Sequence, residues 1–104
     1  MTKQEKIIKS IQNLKKEVLP EGKLVLFGSR AREDATSESD WDLLILLDKK
    51  EITSSDFDQY AYPFVQLGWK FGEYFSPKLY TESEWIDRKS SFFFKNVQAE
   101  GVEL

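Results

Sequence analysis

A chain of 104 residues, 40% hydrophobic and 14% aromatic, suits a single domain spanning 1–104 with a modest core. Basic and acidic residues nearly balance, 15 against 18, which argues against the nonspecific nucleic-acid binding that a basic excess brings. The chain has no cysteine and no histidine. Disulfides, thiolate metal sites and imidazole chemistry are thereby excluded, and any metal must be hard and oxygen-bound, Mg²⁺ before Mn²⁺ or Ca²⁺.

In chain order, Ile7, Ile8, Ile11, Leu14 and Val18 recur at spacings of three and four, with lysines and glutamates between them. This predicts an amphipathic helix that ends before Pro20 and Gly22. The amino-terminal stretch has no unbroken apolar core of the kind a signal peptide needs. The longest apolar run, Leu43 to Leu47, is too short to cross a bilayer. A soluble, cytoplasmic protein without membrane contact is expected.

Leu24 to Phe27 reads as a short apolar strand cut off at Gly28. Asp42 to Leu47 reads as a second strand, apolar on both faces and therefore central. Ser55 to Leu67 has helical spacing of Phe57, Tyr60, Ala61, Phe64 and Leu67, with a kink or break expected near Pro63 and an end at Gly68. Trp69 to Tyr80 reads as a strand, placed at a sheet edge or bulged because Pro77 cannot donate to a ladder. Thr81 and Glu84 form a capping-box pattern that starts a helix from Glu82 to about Arg88. Ser91 to Glu100 reads as a last helix stopped by Gly101. The order predicts an α/β or α+β domain on a small three- to four-stranded sheet.

One stretch, GSRAREDATSESDWDLLILL at residues 28–47, carries chemistry. Side chains two apart on a strand share a face, so Asp40 and Asp42 project together from backbone positions about 6.6 Å apart. Two carboxylates that close repel unless a cation lies between them. A pair of divalent ions about 3.5–4 Å apart can clamp the attacking and leaving oxygens of a phosphoryl transfer. Gly28 and Ser29 sit where the first strand ends, and a short helix starting at Ser29 would offer free N–H groups to a phosphate. Arg30 and Arg32 add guanidinium forks suited to phosphate oxygens. Each feature alone also reads as an ordinary turn or cap; their conjunction at two neighbouring strand ends matches a nucleoside triphosphate carrying magnesium. The aromatic groups Trp69–Phe71 and Phe92–Phe94 read first as core.

Gly28-Ser29-Arg30-Ala31-Arg32 followed by Ser39-Asp40-Trp41-Asp42-Leu43 resembles the GSxAR…SDxDL signature of nucleotidyltransferases of the DNA polymerase beta superfamily, and the short chain is similar to their minimal members. The resemblance is strong over residues 23–47. It implies a mixed sheet with flanking helices. It also implies a nucleoside triphosphate, most often ATP, with two Mg²⁺ ions, and transfer of a nucleoside monophosphate to a hydroxyl with release of pyrophosphate. By position, Gly28 and Ser29 would hold the triphosphate together with Arg30, Arg32 and Ser39, and Asp40 and Asp42 the metals. Arg32 matches the arginine of the signature, Arg30 falls at its variable position, and Glu33 stands where relatives often have glycine.

Active relatives carry a third carboxylate on a later strand. On Trp69–Tyr80 the one candidate is Glu73, expected as the third catalytic residue. A chain lacking that ligand would be a weak or inactive nucleotide-binding module. Minimal relatives pair with helical HEPN-domain toxins as antitoxins that adenylylate them, and others modify aminoglycosides. A HEPN-like partner or a homodimer is accordingly an expectation, with the aromatic-rich C-terminus as a possible contact surface.

Overall fold

A computed structural model describes residues Met1 to Leu104. Helix α1 (Lys3–Val18) opens with a capping box in which Thr2 Oγ1 accepts the Glu5 N–H and Glu5 accepts that of Thr2. Strand β1 (Lys23–Phe27) and the single-turn helix α2 (Ser29–Arg32) follow, then strand β2 (Trp41–Leu47). Helices α3 (Ser54–Asp56) and α4 (Tyr62–Lys70) flank a π-helical turn, Phe57–Ala61. Strand β3 (Phe75–Thr81), helices α5 (Glu82–Asp87) and α6 (Phe92–Glu100) and the two-residue strand β4 (Val102–Glu103) complete the chain.

The four strands form one mixed sheet in the order β3-β2-β1-β4. Strand β2 is antiparallel to β1, with Phe27 opposite Asp42, and parallel to β3, with Asp42 opposite Ser76. Alternation along β2 then divides the molecule into two layers. Trp41, Leu43, Ile45 and Leu47 face a core built with Ile7 and Ile11 of α1 and Phe64 of α4. Leu44 and Leu46 face the other way, onto Trp85 of α5 and Val97 of α6. Asp42 belongs to this second face, at the end where the apolar filling stops. Trp41, fully buried on the first face, anchors the start of β2; truncation to alanine at such a position costs about 3–5 kcal/mol.

Several expectations from the sequence are corrected here. The helix does not end at Gly68 but runs to Lys70, and the positive φ of Gly72, 69°, follows it. Gly68 lies inside the helix, and its missing side chain makes room for the Phe75 ring, 2.8 Å from where a Cβ would stand. Trp69 and Lys70 are therefore helical, and the strand begins at Phe75. The interruption expected near Pro63 is present as the π-helical turn that ends at Ala61, and Pro63 occupies the first turn of α4, where a missing N–H is tolerated. Pro77 lies on the edge strand, as its lack of a donor requires. Strand β4, too short to show a period, pairs Val102 with Leu26 and Glu103 with Val25. The C-terminal aromatics pack on the sheet: Trp85 lies 5.4 Å from Phe93 and 4.9 Å from Phe94 between ring centroids. Phe92 alone of the triplet stands fully out. No helix is long and apolar enough to cross a membrane.

Candidate nucleotide and metal site

The site lies where β1 ends beside the start of β2. Gly28 leaves β1 with φ 74° and ψ −159°, a conformation open essentially to glycine. Its missing side chain is also needed sterically, because a Cβ there would overlap Oδ2 of Asp42. The backbone then turns into α2. The N–H groups of Ala31 and Arg32 both bond Gly28 O at 3.1 Å, which leaves those of Ser29 and Arg30 as first-turn donors without an intrahelical acceptor. The Ser29 hydroxyl adds a further donor at the same turn.

Asp40 is exposed and immediately precedes β2; Asp42, half-buried, is its second residue. Neither forms an ion pair. Burial pushes the Asp42 carboxyl above the ordinary aspartate range, and the charge of Asp40 pushes it further, while Lys78 and Arg32 pull it back. The like-charge repulsion expected from the Asp-Trp-Asp spacing thus falls on Asp42.

The remaining residues expected at the site are engaged elsewhere. Arg30 turns to the opposite face of the sheet. Its Nη2 donates to Ser39 O at 3.0 Å and to Glu73 Oε1 at 3.3 Å, and its guanidinium lies 4.8 Å from the Trp41 ring centroid. Trp41 Nε1 also donates to Glu73 Oε1, at 3.2 Å, and Lys3 Nζ lies 3.9 Å from Oε2. Glu73 is therefore not brought together with Asp40 and Asp42. It precedes β3 and is held on the Trp41 side, whereas Asp42 points to the other. Arg30 likewise lies away from the two aspartates, and its Nε is buried without a hydrogen-bond partner. Ser39 closes a turn, its hydroxyl accepting the Thr36 N–H at 3.0 Å. Arg32 stays on the Asp42 side but is held by Asp34 at 3.1 Å and, in a two-oxygen grip at 3.1 and 3.2 Å, by Glu100 of α6. These bonds raise its pKa further above that of a free guanidinium.

On β3, the residues sharing the face of Asp42 are Ser76, opposite it, Lys78, opposite Leu44, and Tyr80, opposite Leu46. None is acidic. The sequence reading missed Lys78 because the register of β3 against β2 is a long-range fact; once the strand is placed, alternation finds it.

A family model for the nucleotidyltransferase domain matches residues 4–96. The chain belongs to that family. No curated protein and no solved structure is significantly similar to it. The family implies a metal, and the donor set of this nucleotidyltransferase domain can be tested against one. Two oxygen ligands, Asp40 and Asp42, suit one hard divalent cation whose other positions go to phosphate oxygens and water. No third acidic side chain joins them.

Proposed function

We propose that this nucleotidyltransferase domain binds a nucleoside triphosphate, ATP first, and moves its nucleoside monophosphate to a hydroxyl of a protein or small molecule. The observation that carries the proposal is the close approach of the Asp42 carboxylate to Gly28. It sets an oxygen-ligand pair directly beside a turn with unused N–H donors. Asp40 and Asp42 would hold the magnesium ion, which when bound supplies charge neutralisation and orientation of the phosphates. Ser29 and the N–H groups of its turn would hold phosphate oxygens, and Gly28 lets the backbone approach them. In the transfer, the acceptor oxygen bonds the α-phosphorus and the bond from that phosphorus to the pyrophosphate oxygen breaks. The hydroxyl proton leaves to water, which reaches the exposed Asp40. Incubation with α-labelled ATP, Mg²⁺ and candidate acceptors tests this. Label should pass to an acceptor with the wild type and not with an Asp40→Ala, Asp42→Ala double variant. Equal transfer by both would refute the assignment.

A second reading is favoured by the placement of Glu73: a domain that grips the nucleotide but turns over slowly or not at all, acting through a bound partner protein. Absence of transfer together with tight, metal-dependent nucleotide binding would support it over the first.

A further inference from the structure

Two cations act on Asp42, Lys78 and Arg32, and Arg32 is spoken for. Arg30 is held on the far face by Glu73, and Arg32 is gripped by Asp34 and Glu100. Lys78 is exposed and forms no ion pair with any carboxylate. It shares the face of Asp42, one pleat along from Ser76, on an edge strand open to solvent. Its charge is felt at Asp42. A lysine stem is long and flexible, so its ammonium can sweep the space in front of the aspartates while the strand stays fixed.

We propose that Lys78 binds the polyphosphate and that the ledge takes a single divalent cation, the ammonium supplying the second positive charge. The proposal rests on the nucleotide reading above. A triphosphate that carries one divalent ion is still anionic, and a free ammonium beside it forms charge-assisted hydrogen bonds. A second divalent ion entering beside Asp42 would meet only two carboxylates and the repulsion of Lys78.

Binding of α,β-methylene-ATP with Mn²⁺, the bound metal counted by electron paramagnetic resonance, tests this without turnover. The wild type should hold one Mn²⁺ per bound analogue. Lys78→Met keeps the apolar stem and should weaken the analogue and inorganic tripolyphosphate about tenfold, the scale of a charge-assisted contact, at an unchanged melting temperature. Lys78→Asp should admit a second Mn²⁺. Two Mn²⁺ ions in the wild-type complex, wild-type affinity in Lys78→Met, or a single ion in Lys78→Asp would each overturn the role of Lys78 while leaving the nucleotide reading standing. No binding of the analogue to the wild type would remove that reading, and the role of Lys78 with it.

Discussion

The carboxylate of Asp42 rests against the Cα of Gly28, in space that any other residue at position 28 would fill with its own Cβ. The contact joins the two halves of the motif physically: the turn with free N–H donors and the acidic strand start are one surface. Replacing Gly28 by alanine therefore has two effects. The backbone conformation costs about 1–3 kcal/mol for a residue with a Cβ, and Asp42 must move. Urea unfolding should show the loss of stability, and calorimetry the loss of nucleotide binding. Wild-type stability in Gly28→Ala would show that the close approach is not required.

The perturbed carboxyl of Asp42 gives a pH dependence of definite sign. Its pKa is raised in the folded state by burial and by Asp40. The folded state thus holds that proton more tightly than the unfolded chain does. The associated stability is present below the ordinary aspartate pKa and is lost as pH rises through the raised value. Asp42→Asn should abolish this loss, so the variant should melt higher than the metal-free wild type at neutral pH. Divalent cation with nucleotide should raise the wild-type melting temperature by mass action and leave Asp42→Asn unmoved. A parallel pH profile for the two proteins would contradict the assignment.

Glu73 makes the opposite kind of contribution. It holds Arg30 and Trp41 together behind the site, with side-chain exposures of 12% for Glu73 and 10% for Arg30. Glu73→Ala leaves a nearly buried guanidinium without its carboxylate and should cost about 3 kcal/mol. Glu73→Gln can still accept from Trp41 and should cost less. Neither should change the Mn²⁺ stoichiometry of the nucleotide complex. Loss of bound metal in Glu73→Gln at intact fold would return Glu73 to the role of ligand.

Asp56 offers an acid-side test away from the site. Lys49 Nζ donates to both its oxygens at 3.0 and 2.8 Å, and the Thr53 N–H donates at 2.7 Å. The bonds from Lys49, then that from Thr53, hold its carboxyl below the usual range. The stabilisation is present above the unfolded pKa and fades as pH falls through the folded one. Asp56→Asn should be less stable than wild type at neutral pH, with the gap closing in acid. A constant gap would mean that the charge of Asp56 is not what stabilises the turn.

Much of the site could be read in the sequence because its signals are local. The apolar run after Asp42 and the glycine after Phe27 mark two strand ends within twenty residues of each other. Glu73 could not be placed that way. Gly68 looks like a helix end, yet it lies inside the helix and makes room for Phe75, and the strand starts later than its composition implies. The partners of Arg30 depend on which side of the sheet α2 turns its side chains, and the neighbours of Asp42 on the pairing of β2 with β3. Both are set by contacts between residues far apart in sequence, which no period records.

The most direct test is calorimetric titration of a non-hydrolysable ATP analogue into the protein with and without Mg²⁺. Binding should require the cation in the wild type and vanish in an Asp40→Asn, Asp42→Asn double variant of unchanged fold. Absence of binding by the wild type, or equal affinity in the double variant, would contradict the claim that the ledge of Gly28, Ser29, Asp40 and Asp42 holds a metal-bound nucleotide.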